Sequence, residues 1–249
     1  MERLNRYLAR AGVASRRLAD QLIASGSVLV NGERPPPSGL LIDADHDVVT
    51  VDGRAVRPVI VHRYLALHKP VSVITTARDE ADRTTVLDVV GDEGRMGRRL
   101  FPVGRLDADS SGLLLLTDDG DLAFRLTHPR YKVTKEYVAV VAGTPNHDDL
   151  DKLRRGVELE DGLTAPAEVE VLRPVDDHHV ELRVVIREGR NRQVRRMLQA
   201  VGHRVQELRR VGFGPLKLGR LKPGGWRVLV PAEVAALRRS VGIDLEAST

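Results

Sequence analysis

The sequence predicts an α+β protein in two parts. A small α/β module comes first. A larger domain with a mixed, mostly antiparallel sheet and flanking helices follows. Three observations carry this. Two short amphipathic helices with clear stop signals open the chain and run into an Asn-Gly turn. The later strand-like runs often follow each other too closely for parallel crossovers. A proline-marked stretch near Pro58 to Arg63 separates the two parts, giving domains over residues 1–60 and 61–249.

In the first helix, Leu4, Tyr7, Leu8 and Ala11 form an apolar stripe at i, i+3, i+4 and i+7, and Gly12 is a natural stop. Arg3, Arg6 and Arg10 share another face. The second helix starts at Ser15 as N-cap, is expected to bury Leu18, Leu22 and Ile23, and stops at Gly26. Arg16 and Arg17 occupy its first turn, where cations oppose the helix dipole. A phosphate at that end explains the unfavourable choice, since free N–H groups and arginines both face it. Val28 to Gly32 alternates into an Asn-Gly hairpin signal. In the larger part, "YLALH", "SVITT", "GLLLLT", "EYVAVVAG", "HHVELRVVI" and "WRVLVP" read as strands. "DDLDKLRRG", "RNRQVRRMLQAVG" and "PAEVAALRRSVG" read as helices.

Composition narrows the function. The chain has 249 residues, 42% hydrophobic and 30% charged, an ordinary globular balance. Cysteine is absent, which excludes disulfides, thiolate metal sites and a cysteine nucleophile and fits a reducing compartment. The N-terminus lacks the apolar stretch of a signal peptide. The longest apolar run, Leu113 to Leu116, is far too short to span a bilayer. A cytoplasmic protein with no membrane partner is expected. The net charge is only +4, but residues 1–17 carry +4 and residues 187–210 carry +6, leaving −6 on the rest. Two concentrated basic patches on an acidic body point to a polyanionic partner, nucleic acid above all.

The chemistry concentrates in "GRLDADSSGLLLLTDDG", Gly104 to Gly120. A charged loop bounded by glycine delivers Asp107 directly into a leucine strand. A carboxylate there is either structurally paired or functional. Asp107, Asp109, Ser111 and Gly112, with Asp118 in twelfth place, imitate a calcium loop. Calcium is rejected because that place normally holds Glu, four leucines follow Gly112, and Pro102 and Gly104 stand where a helix is needed. No His/Asp/Glu cluster has ligand spacing, so no metal is expected.

These motifs resemble two known families. "RLNRYLARAGVASRRLADQLIASGSVLVNGERP" resembles the S4 RNA-binding module, which binds structured RNA with its two helices. "GRLD" resembles the second motif of pseudouridine synthases of the RsuA/RluB type, whose catalytic aspartate falls on Asp107. "KEY" is similar to the segment whose tyrosine stacks on the target base, here Tyr137 beside Lys135. "EGRNRQVRRM" is similar to the basic motif whose arginine after "QV", here Arg195, pairs with the catalytic aspartate. "HKP" matches the start of the catalytic domain, though Val71-Ser72 stands where a glycine is usual.

The resemblance implies isomerisation of a uridine in ribosomal RNA or an assembly intermediate, by a monomer that needs no cofactor. It also implies that Arg105 fills the gap left by a flipped base. On the expected helix Arg192 with Arg196 and Arg195 with Gln199 are i, i+4 pairs, so Arg192 and Arg196 are expected to face RNA while Arg195 turns inward. A carboxylate suits this reaction because it can trap or stabilise a cationic C1′ or remove a proton. Which of these Asp107 does stays open. Large-subunit RNA is the favoured substrate and small-subunit RNA the alternative. A non-catalytic RNA-binding assembly protein is the competing class.

Overall fold

The computed structural model describes residues 1–37, 39–59, 61–77, 79 and 81–243. They form two compact units. The first holds Met1–Arg63 with Gly97–Arg99 and Asp118–Gly120; the second holds Tyr64–Met96, Leu100–Thr117 and the chain from Asp121 onward.

In the first unit, helix Leu4–Arg10 buries Leu4, Tyr7 and Leu8. Helix Arg16–Ser25 is capped by the Ser15 hydroxyl, which accepts from Leu18 N at 3.2 Å, and ends at Gly26 with φ 82°. Both pack on Val28, Val30, Ile42 and Val49. The second helix turns differently from expectation. Ala19 and Ile23 are buried, an i, i+4 pair, while Leu18 is 47% exposed because it sits one position off that stripe. Asn31-Gly32 does form a tight turn, with φ of 53° and 85° and reciprocal bonds between Val30 and Glu33. No hairpin grows from it. The prolines at 35–37 offer no N–H, and strand Val28–Val30 pairs instead with Val49–Val51. The longer hairpin forms at Asp52-Gly53, joining Val49–Val51 to Arg54–Ala55.

The second unit is built on one large sheet. From edge to edge its strands are Glu168–Asp176, His179–Ile186, Lys135–Ala142, Val205–Phe213, Ser111–Thr117, Tyr64–Lys69 and Trp226–Val228. Every neighbouring pair is antiparallel except Val205–Phe213 with Ser111–Thr117. The leucine run of Ser111–Thr117 is buried on both faces. Leu114 and Leu116 join a core that includes helices Val86–Arg95, His147–Arg155 and Gln193–Ala200. Leu113 and Leu115 join a second core under helices Gly120–Thr127 and Pro231–Ser240. A continuous apolar run is what a strand covered on both sides requires.

Several expected elements differ. "SVITT" is not a strand; it contributes a single bridge, Ile74 to Thr85. The helix expected over Arg190 to Gly202 is confined to Gln193–Ala200, because Arg192 before it is left-handed at φ 47°. Strands Glu168–Asp176 and Val205–Phe213 and helices Val86–Arg95 and Gly120–Thr127 are present in addition to the elements expected.

Candidate active site

Asp107 lies in the loop that leads into strand Ser111–Thr117, and bonds from several segments hold that loop. The buried Thr75 hydroxyl donates to Leu106 O at 2.7 Å and accepts from Leu106 N at 3.3 Å. Ser72 N donates to Ala108 O at 2.7 Å. Ser72 sits at φ 65°, a left-handed position that a glycine fills without cost. Ser110 N turns back onto Asp107 O at 3.1 Å. Lys69, fully buried at the end of its strand, donates to Pro70 O and Ser110 O, both at 2.8 Å. Burial pushes its ammonium down to about 8, against the pull of Asp107 and Asp109. Gly112 then enters the strand at φ 112°, where a Cβ would meet Arg210 O at 2.2 Å. Only glycine admits that approach of the two strands.

The loop's carboxylates meet the basic motif. Arg192 grips Asp109 with two bonds, at 3.1 and 2.8 Å, and stands 3.7 Å from Asp107. The Arg192 guanidinium holds the Asp109 carboxyl below the usual carboxylate range. Arg195 is largely buried. It donates to Asp109 O at 2.8 Å and Val205 O at 3.2 Å, and its Nε stands 3.4 Å from the Asp109 carboxylate. The guanidinium within ion-pair distance of Asp107 is therefore that of Arg192, while Arg195 straps the loop two residues on. Arg196 forms a paired bond with Asp161, at 3.0 and 2.9 Å. The motif has its own internal frame. Gln193 is buried and donates to Glu188 Oε1 at 2.5 Å, and Arg190 clamps Gly162 O and Leu163 O at 2.6 Å each.

These pieces enclose a cavity of about 280 Å³ lined by Asp107, Arg105, Lys135, Tyr137, Arg192 and Arg210, among others. Tyr137 is 8% exposed and sits beside Arg210 in the strand register. Lys135 donates to the carbonyls of Val133 and Glu188, both at 3.3 Å, and burial pushes its ammonium down to about 8. Arg105 is exposed at the cavity rim. Asp107 keeps about a third of its side chain open. The cavity thus presents the carboxylates of Asp107, the more open of the two, and Glu188, with an aromatic ring and several cations, a set suited to an anionic substrate and to chemistry at a sugar carbon. Sequence reasoning missed Lys69 and Arg210. Arg210 sits in a charged stretch and Lys69 at the end of an apolar one, and neither shows in sequence that its charge is buried.

The expected RNA-binding residues of the first unit form a separate group. Arg3, Arg6, Arg16 and Arg17 are exposed and Arg10 is half-buried. Glu2 pairs with Arg10 at 2.5 Å and Arg6 at 3.8 Å. The first turn of helix Arg16–Ser25 contains no acidic residue.

Residues 63–200 match the family model described as RNA pseudouridylate synthase, and residues 2–34 match the S4 domain. The chain is 44% identical to a Bacillus subtilis protein named "Ribosomal large subunit pseudouridine synthase B", over 96% of each chain. It is 43% identical to an Aquifex aeolicus protein named "Uncharacterized RNA pseudouridine synthase", covering 97% of this chain and 95% of that one. A solved structure described as "Crystal structure of pseudouridylate synthase" superposes with a TM-score of 0.66 at 29% identity, covering 95% of this chain and all of that one. Two arginine-bearing N-terminal helices and a carboxylate-containing cavity on a mixed sheet accordingly belong to an RNA-binding enzyme, and the chain is a member of the RNA pseudouridylate synthase family with an S4 domain at its N-terminus.

Proposed function

We propose that this chain isomerises a uridine of large-subunit ribosomal RNA to pseudouridine, with Asp107 as the essential carboxylate. The observation that carries this is the placement of Asp107. It is the more open of the two carboxylates that line the cavity, on a loop held by Thr75, Lys69 and Asp109. The reaction breaks the C1′–N1 bond, turns the uracil and rejoins it through C5. It is redox-neutral and needs no cofactor or metal. As C1′ loses electrons it calls for a nearby carboxylate, either as nucleophile or as stabilising charge. Arg192 at 3.7 Å favours the ionised form that both roles need. Tyr137 offers a ring face on which the uracil stacks.

A uridine stacked in a helix must leave the stack to reach this cavity. Arg105, exposed on the Asp107 loop, takes the place of the extruded base. Lys135 and Arg192 meet the RNA at the cavity. Arg196 adds charge on helix Gln193–Ala200, which follows Arg192, although its bond to Asp161 competes with RNA. Residues 1–60 supply affinity through Arg3, Arg6, Arg10, Arg16 and Arg17, and residues 61–249 supply the chemistry. The enzyme works as a monomer in the cytoplasm on ribosomal RNA or an assembly particle. The name of the Bacillus subtilis relative favours the large subunit.

The test is to map pseudouridines in both ribosomal RNAs from cells with and without the protein, and to restore them with purified enzyme. One large-subunit position is expected to disappear and return. A position in small-subunit RNA alone would replace the substrate assignment. No change in either RNA would favour a non-catalytic assembly role.

A further inference from the structure

Arg210 is the largest fully buried side chain among the described residues, at 2% exposure. It lies on the strand at the centre of the sheet, beside Tyr137 and opposite Gly112. Its Nε donates to Leu113 O at 2.8 Å, its guanidinium stands 5.0 Å from the centre of the Phe213 ring, and it makes a polar contact with the Tyr137 side chain. Its Nη2 is buried with no hydrogen-bond partner. Among the described residues no carboxylate pairs with it. A guanidinium does not give up its proton in a protein, so this is a permanent buried charge. Buried charges are ordinarily paired, and an unpaired one is strongly unfavourable. The fold retains this one in the wall of the cavity that holds Asp107. Lys135, on the same wall, is bonded only to carbonyl oxygens. The Glu188 carboxylate nearby accepts on Oε1 from Gln193 and Ala165 N and stands 3.5 Å from Arg190 Nε.

The reaction supplies the missing negative charge. When the C1′–N1 bond breaks, both electrons stay with the base. The sugar becomes electron-poor, and the uracil becomes an anion with its charge shared by N1, O2 and O4. C5 then bonds to C1′, the C5 proton leaves, and N1 takes up a proton, so atoms and charge balance. Before cleavage the uracil is neutral, and afterwards it is anionic. A fixed buried cation therefore interacts more strongly after cleavage than before, which is the condition for lowering a barrier.

We propose that Arg210 is a catalytic residue of the base-leaving step: its free Nη2 N–H donates to a uracil carbonyl oxygen and stabilises the uracil anion, with the Lys135 charge assisting. This rests on the cavity at Asp107 being the active site. It assigns the two halves of the broken bond to different groups, the sugar to Asp107 and the base to Arg210.

The experiment compares single-turnover rates on RNA carrying uridine or 5-fluorouridine at the target position. Product is followed for uridine, and consumption of the target nucleotide for 5-fluorouridine. Fluorine withdraws electrons from the ring and makes it a better leaving group, so it replaces part of what Arg210 provides. Arg210→Gln removes the charge but keeps a donor for Leu113 O. Arg210→Lys keeps the charge but loses the second donor arm and guards against a folding failure of the first variant. Both variants are expected to bind RNA within about threefold of wild type. Both should lose at least about 100-fold on uridine, as when one donor to a developing oxyanion is removed. The loss on 5-fluorouridine should be smaller by about tenfold or more. Equal losses on the two RNAs would make Arg210 a structural residue and overturn the proposal. So would rates within about threefold of wild type on both. Asp107→Asn in the same assay separates the two readings. It must stop both reactions for the cavity to be the site, whereas the ratio between the two RNAs concerns Arg210 alone.

Discussion

Asp107 reaches solvent with few bonds of its own, and its neighbours do the holding. Asp109 takes two bonds from Arg192 on its side chain and one from Arg195 on its carbonyl. Removing that anchor should loosen the Asp107 loop without unfolding the domain, because the pair is half exposed and such pairs add little stability. Asp109→Ala is expected to lower the single-turnover rate by about 10- to 100-fold, as small displacements of a reacting group do. The melting temperature should move by less than about 2 °C. Rapid-quench kinetics and calorimetry on one preparation check both halves. A loss confined to RNA affinity would contradict the anchoring role. The pH dependence follows in sign. The folded Asp109 carboxyl titrates below its unfolded value, chiefly because Arg192 donates to it. The anchor is fully present above the ordinary carboxylate range of about 4 and is lost as pH falls through the lower folded value. Near neutrality it contributes no pH dependence. At this scale the motif "GRLD" and the "KEY" tyrosine are legible in sequence, because each has a distinctive neighbourhood. Arg210 is not. It reads as one more arginine in a basic run, and only strand register turns it inward.

Among the elements, the strands that carry apolar runs or clear alternation are legible in sequence, and Ser111–Thr117 and Lys135–Ala142 are the clearest cases. Strand Val205–Phe213 escapes because its sequence, VQELRRVGF, places three charges in nine positions and is broken by register shifts at both ends. It is nonetheless the strand that joins the antiparallel half of the sheet to the leucine strand. That junction depends on Gly112, whose absent Cβ would lie 2.2 Å from Arg210 O and 2.5 Å from Arg210 N. Backbone on both sides leaves nothing flexible to move aside. Gly112→Ala is therefore expected to destabilise the protein by about 3 kcal/mol or more, combining overpacking with a positive φ. In a domain of this size that lowers the melting temperature by roughly 6–12 °C. A shift under about 2 °C in thermal unfolding would show that the strands are not held this closely. "SVITT" fails in the opposite way. It has the β-branched residues of a strand, but its backbone is committed to the Asp107 loop and to Thr84.

For the whole molecule, the proposed function divides labour between an RNA-gripping N-terminal unit and a catalytic unit. Of the five arginines proposed to grip RNA, Arg6 and Arg10 are already paired with Glu2. Arg16 and Arg17 are exposed at a helix start that lacks an acidic residue. Arg16→Ala with Arg17→Ala is expected to raise KM for ribosomal RNA and to leave turnover at saturating RNA unchanged. The slope of log affinity against log salt should flatten by roughly 0.7–0.9 for each phosphate that is no longer neutralised. Initial rates against RNA concentration at two salt levels read this directly, and a loss of kcat at constant KM would place these arginines in the active site. The central claim is that one carboxylate, Asp107, performs the isomerisation. Tritium release from ribosomal RNA labelled at uridine C5 measures that step, because the C5 proton leaves only when the new bond has formed. Asp107→Asn keeps the shape and removes the charge. The expected result is a loss of at least about 10³-fold in tritium release, with RNA binding and thermal unfolding close to wild type. Release within about tenfold of wild type would contradict it.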